Sequence, residues 1–257
     1  MMSSNEETLN ALNLLYDKTV KCPICDHEFK VRSVRSSSYR IEKKDSDFFI
    51  HYTRINPYFY DVWLCNSCGY AAMKADFPSI RSSKKELILA NISTKWHSKE
   101  YPSVYDSKIA IERYKLALIN YTVINSESYK KAMNCLKIAW MYRLSGQVES
   151  ENAYIKNAIE SFSNAYYNEG FPMYGMNRFT VMYLIGELNR RIGNPDEALT
   201  WFGNVLTSSM AEQKIKEIAR TQKDLIKNTI NTDIETETEN HTENKNHKKR
   251  FSFRKLF

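Results

Sequence analysis

Cys22-Pro23-Ile24-Cys25 and Cys65-Asn66-Ser67-Cys68-Gly69 gather four of the chain's five cysteines into two Cys-x-x-Cys knuckles. Each knuckle lets two thiolates converge on one ion, and two knuckles complete a tetrahedral four-sulfur shell at about 2.3 Å for zinc. Cys22, Cys25, Cys65 and Cys68 are therefore the expected metal ligands. A shell of four protein sulfurs leaves no position for water, which argues for architecture rather than catalysis, and no catalytic residue is assigned. Zinc is favoured, with iron in a rubredoxin-like site as the alternative. His27 and His51 are also ligand types, but four well-spaced thiolates leave them no vacancy.

Outward from the first knuckle, residues 19 to 34 read as strand, knuckle, strand, with Phe29, Val31 and Val34 as core candidates. Residues 8 to 16 place apolar groups at helical spacing and predict a short leading helix. Between the knuckles lie 39 residues, too many for a compact ribbon, so this insertion must carry structure of its own. It runs through Asp45-Ser46-Asp47-Phe48-Phe49-Ile50-His51-Tyr52-Thr53-Arg54-Ile55-Asn56-Pro57 and ends on the strand Asp61-Val62-Trp63-Leu64, which delivers the second knuckle. Two readings stand for its polar groups. Asp45, Asp47, His51, Arg54 and Asn56 line a cleft beside the metal, or the aromatics are core, Asn56-Pro57 is a turn and Arg54 partners an aspartate.

Cys22-Pro23-Ile24-Cys25, Phe29, Asp45-x-Asp47-Phe48, Tyr52, Ile55-Asn56-Pro57-x-x-Tyr60 and Cys65-x-x-Cys68-Gly69-Tyr70-Ala71-Ala72 together resemble the bacterial family termed domain of unknown function 2225. The likeness continues through Ala110-Ile111-Glu112-Arg113-Tyr114-Lys115-Leu116-Ala117-Leu118 and Ala139-Trp140-Met141-Tyr142-Arg143, covering most of residues 14 to 226. It implies the same four cysteine ligands and the same architecture. It implies no activity, because the family label carries none.

Beyond residue 80 the periodicity becomes helical. A first helix is expected over 82 to 96, then six more at 107 to 122, 126 to 145, 148 to 169, 176 to 192, 195 to 208 and 210 to 227, suggesting three antiparallel pairs. Sparse glycine and proline, 7 and 6 residues, fit long helices better than a turn-rich β sandwich. Around Gly186, Gly193-Asn194-Pro195, Ala198 and Phe202 the pattern matches one tetratricopeptide unit, with Asn189 replacing the usual aromatic. Small residues at 186 and 198 admit close helix approach, and Gly193 ends the first helix. An earlier unit is weaker, since Glu151 stands where a small alanine is expected. Such arrays offer a groove to peptide segments of partners, and a plain helical bundle is the alternative. Cys135, away from the other cysteines, reads as a small buried hydrophobe.

The expected fold is α+β. A zinc-ribbon-like β domain spans 1–78, a connecting helix and loop 79–106, an all-α tetratricopeptide-like domain 107–227, a disordered linker 228–247, and a basic aromatic tail 248–257. In the tail Lys248, Lys249, Arg250, Phe253, Arg254, Lys255, Leu256 and Phe257 suit weak contact with an anionic membrane surface, Phe253, Leu256 and Phe257 sharing a helical face.

The formal net charge is +7. Acidic residues interrupt the basic ones throughout, and residues 1 to 107 carry only +2, which four thiolates on zinc would cancel. Nucleic-acid binding is therefore disfavoured. The first residues lack the basic and apolar regions of a secretory signal, so the expected location is the cytoplasm, with peripheral contact at the inner membrane face. The expectation is a cytoplasmic zinc-binding adaptor that takes a protein partner through its helices. A redox or hydrolytic enzyme using the metal or the Asp45–Asn56 segment, and a nucleic-acid-binding zinc ribbon, are the alternatives.

Overall fold

A computed structural model describes residues 10–230 of the chain. It is an α+β protein in which three short antiparallel hairpins precede a run of helices. Strand β1 (Leu15–Lys21) pairs with β2 (Glu28–Val34), from Leu15 opposite Val34 to Lys21 opposite Glu28. Strands β3 (Ile41–Lys44) and β4 (Ile50–Tyr52) form a second hairpin inside the insertion. Strands β5 (Val62–Leu64) and β6 (Ala71–Met73) form the third. The first and third hairpins carry the two cysteine knuckles at their tips.

The expected leading helix ends sooner than its apolar spacing suggested. Among the described residues only 10–13 are helical, and Leu15 and Tyr16 already belong to β1. Tertiary packing overrides local periodicity here. Leu15 is buried in a cluster with Ile55 and Tyr60, covered by Val34, Tyr39, Phe59 and Tyr105, and an extended backbone is what delivers it there. Of the three core candidates on β2, Val31 is fully buried while Phe29 and Val34 are half-buried.

The helices are α1 (Ser82–Asn91), α2 (Ser107–Val123), α3 (Ser128–Leu144), α4 (Val148–Asn168), α5 (Arg178–Arg191), α6 (Pro195–Thr207) and α7 over 213–230. Helix α1 stops before its expected end. The Asn91 amide turns back onto the Leu87 carbonyl, and a single 3-10 turn, Ser93–Lys95, follows. Asp106 caps α2 through its side chain, which accepts from Ile109 N at 2.8 Å.

The described chain divides into two compact units, Met1–Val181 and Met182–Phe257. In the first, α3 packs between α2 and α4, and α2 lies against β5 and β6. Helix α2 is therefore part of what holds the cysteine-bearing β5–β6 hairpin. Arg113 donates to the Val62 carbonyl at 2.8 Å, Tyr114 to the Tyr58 carbonyl at 2.9 Å, and Met73 N donates to the Tyr121 hydroxyl at 3.0 Å. In the second unit α5 and α6 meet closely. A Cβ built on Gly186 would stand 2.8 Å from the Phe202 ring, so only glycine admits this approach. Asn189, set where an aromatic was expected, is buried and spends its amide on the Ile185 carbonyl. Arg190 and Arg191 both pair with the buried Glu187, so this short basic run is engaged within its own helix.

Residues 231–257, which hold most of the acidic linker and all of the basic aromatic tail, lie outside the described residues. Within 10–230 no helix is long and apolar enough to cross a membrane.

Candidate metal centre

The two knuckles are built alike. In the first, Cys22 N donates to the His27 carbonyl at 2.9 Å and Asp26 N to the Cys22 carbonyl at 3.0 Å. In the second, Cys65 N donates to the Tyr70 carbonyl at 2.8 Å and Gly69 N to the Cys65 carbonyl at 2.8 Å. Each turn closes on a residue in the left-handed region, Asp26 at φ 59 and Gly69 at φ 77. Glycine adopts that backbone freely, and aspartate tolerates it better than most residues. The result is two matching loops whose cysteines converge.

The four sulfurs lie within 4.8 Å of one another, and Cys22 Sγ to Cys68 Sγ and Cys25 Sγ to Cys65 Sγ are each 3.6 Å. Ligands at about 2.3 Å from a tetrahedral zinc are separated by about 3.8 Å, so the spacing fits a single ion. Cys22, Cys65 and Cys68 are buried and Cys25 is half-exposed. Hydrogen bonds from Cys22 and Cys68 hold the Cys65 thiol well below its ordinary value, while its bond with Cys65 pushes Cys22 above it. Cys68 is raised as well, first by Cys22. Like charges this close resist a second ionisation, and a divalent cation is the partner that lets four thiolates coexist. His27 instead stacks near Phe29, and among the described residues the four cysteines are the group placed to hold an ion.

A cover over the second knuckle has no motif in the sequence. Ser93 Oγ donates to the Cys68 carbonyl at 2.8 Å, and Trp96 Nε1 to the Asn66 carbonyl at 2.9 Å. Lys99 N donates to Asn66 Oδ1 at 2.9 Å. A Cβ on Gly69 would stand 2.7 Å from the Trp96 ring. Tryptophan and glycine 27 positions apart give no recognisable pattern, so only the fold reveals the cover.

The insertion's polar residues divide into three fates. Asp45 and Asp47 converge on Arg143 of α3, and His51 joins them through Asp45. Arg143 reaches Asp45 at 2.9 Å, Asp47 at 2.6 and 3.1 Å, and Glu151 at 2.7 Å. His51 Nε2 is 2.9 Å from Asp45, and Trp140 Nε1 donates to Asp47 at 3.0 Å. Asp47 is fully buried. Burial works to raise Asp45, but hydrogen bonds from His51 and Arg143 outweigh it and hold the carboxyl below its ordinary value. For Arg143 burial acts to lower the pKa, and Asp47 and Glu151 raise it above the ordinary arginine range. Asn56 caps the 3-10 turn Pro57–Tyr60, its side chain accepting from Tyr58 N at 2.9 Å. Arg54 is exposed, and the arginine that grips the aspartates is Arg143. Cys135 is buried, and burial pushes its thiol up to about 12.

A β region whose four clustered cysteines are positioned to hold a metal ion, joined to a helical region, is the class that fold and site define. The chain belongs to the family described as "Uncharacterized protein conserved in bacteria", domain of unknown function 2225, whose profile matches residues 15–226. Among curated proteins it is similar to an uncharacterized protein of Borreliella burgdorferi, 21% identical over 144 residues, with 48% of this chain and 50% of that protein covered. The chain thus spans about half the length of that relative. No solved structure matches.

Proposed function

We propose that this protein is a cytoplasmic, zinc-stabilised scaffold whose helices present a binding surface to a protein partner. The observation that carries the metal half is the convergence of four cysteine sulfurs within 4.8 Å from two hairpin tips. Four sulfur ligands fill a tetrahedral shell, so the ion would hold the hairpins together rather than activate water. Zinc suits this role because it is redox-inert and favours a closed thiolate shell.

The partner half is supported by α5 and α6, whose close contact at Gly186 and Phe202 has the character of a tetratricopeptide helix pair. Exposed Tyr167, Val148 and Met210 add apolar contact points in the helical part. The basic aromatic tail, residues 248–257, would add weak attachment to an anionic membrane surface.

Elemental analysis of the purified full chain should find one zinc per molecule, and Cys22→Ser with Cys65→Ser should remove it and lower thermal stability. A visible-absorbing, iron-containing protein would replace zinc in this reading, and unchanged metal content in the double variant would end it. For the partner, capture from native cytoplasm with and without residues 228–257 separates binding by the helices from binding by the tail. A partner retained only by the intact tail would defeat the helical assignment.

A further inference from the structure

A cavity of about 380 Å³ opens in the first compact unit where the starts of α1 and α3 meet the end of β6. That is the lower range of small-molecule sites. It lies on residues that do not include the metal ligands, and it is polar. Arg81, Lys84, Lys130 and Lys131 supply cations, and Asp76, Glu127 and Glu169 supply carboxylates. The sum is only slightly positive, so the distribution of pairs decides what the cavity can take.

Each carboxylate is already engaged by the protein. Glu169 accepts from the backbone of Ser128 at 2.6 Å and of Tyr129 at 3.1 Å. Glu127 pairs with Lys130 at 3.1 Å and approaches Arg81 at 3.8 Å. Asp76 accepts from the hydroxyl of Tyr121 at 2.7 Å and from that of Tyr174. Burial raises both tyrosines well above their ordinary range, so they remain donors to Asp76. The half-buried Lys84 and Lys131, by contrast, have no carboxylate within ion-pair distance among the described residues. Two ammonium groups beside one cavity, with an arginine at its rim, call for an anion from outside the chain. Asn125 adds a neutral amide able to bond hydroxyls, whereas Ser126 donates to the Glu127 carbonyl and the Asn164 amide is already spent on Ser128 and Asn168.

We propose that this cavity binds a small phosphorylated metabolite of sugar-phosphate size, with the phosphate on Lys84 and Lys131. A multiply charged phosphate matches two lysines that line one cavity without carboxylate partners among the described residues, and hydroxyls match the Asn125 amide. The assignment is independent of the metal centre.

The test is calorimetric titration of the metal-loaded full chain with ribose 5-phosphate, inorganic phosphate and ribose. Ribose 5-phosphate should bind saturably, inorganic phosphate more weakly, and ribose not at all. Lys84→Gln with Lys131→Gln should weaken ribose 5-phosphate by roughly tenfold or more, with an unchanged circular dichroism spectrum. Lys99→Gln, a cation that pairs with Glu112 away from this cavity, should change nothing. The proposal is overturned by no saturable binding of ribose 5-phosphate, by ribose binding as well as its phosphate, or by unchanged affinity in the double variant. An equal loss in Lys99→Gln would also overturn it, since it would mean diffuse attraction rather than a site.

Discussion

Gly69 shows how one residue can bind a metal loop to its surroundings. Its φ of +77 closes the second knuckle, and the Trp96 ring occupies the space a side chain would need. Both constraints oppose any other residue, the backbone one alone costing about 1–2 kcal/mol in a non-glycine residue. Gly69→Ala in the metal-loaded protein should therefore lose at least about 2 kcal/mol by chemical denaturation, because overpacking adds to the backbone term. Adding Trp96→Ala should recover the overpacking part while leaving the backbone part. If the two losses simply add, the ring contact is not what excludes the side chain. Asp26 holds the equivalent place in the first knuckle at φ 59. Asp26→Gly should thus be tolerated or mildly stabilising, since it relieves the same backbone cost.

Between elements, Arg143 makes a multidentate tie from α3 into the insertion. Asp45 and Asp47 come from the segment around the β3–β4 turn and Glu151 from α4, so one guanidinium joins three elements. Asp47 has no exposed side-chain surface, and removing its partner would strand a buried charge. Arg143→Ala should cost about 3–5 kcal/mol, and Arg143→Lys less, because lysine keeps the charge but loses the planar fork. The pH dependence follows from Asp45. Its pKa is lowered in the folded state, so its contribution is complete above its ordinary 3.8 and is lost as pH falls through the folded value. Urea denaturation should show a stability gap between wild type and Asp45→Asn that shrinks as pH falls below about pH 4. A gap that persisted undiminished well below that pH would contradict this pairing. Helix positions such as α4 and α6 were legible in the sequence because their apolar residues repeat every three to four positions, whereas α3 buries residues on nearly every side. The knuckles were legible because cysteine spacing has few other meanings. The Arg143 tie was not legible, because its partners stand 96 and 98 residues away and no local pattern encodes that distance. Glu151 read as a flaw in a repeat, whereas it is spent on Arg143.

Across the first compact unit, the two cysteine hairpins are anchored unequally. Hairpin β5–β6 is held by α2 through Arg113 and Tyr121, and its tip is covered by Ser93 and Trp96. Hairpin β1–β2 buries few residues, chiefly Leu15 and Val31, and its strand β1 is otherwise mostly exposed. Its further ties lie at the surface or edge: Arg32 pairs with Asp17 and reaches the Ser103 carbonyl at 2.6 Å, Phe29 meets the Phe77 ring edge-on, and Lys18 lies over the Trp63 ring. A structural zinc contributes about 10–16 kcal/mol in small metal-dependent folds, as much as the whole net stability of about 5–15 kcal/mol of a domain. Removing the ion should therefore release the hairpin with least support elsewhere. Hydrogen exchange after chelation should rise first and most over residues 15–34, less over 62–73, and least over the α2 segment 107–123. Restoring zinc should reverse all three. Exchange rising equally in the two hairpins would show that α2 does not anchor the second. Exchange unchanged over 15–34 would show that the packing of Leu15, Ile55 and Tyr60 suffices to hold the first hairpin without the ion, and that the metal serves some purpose other than clasping it.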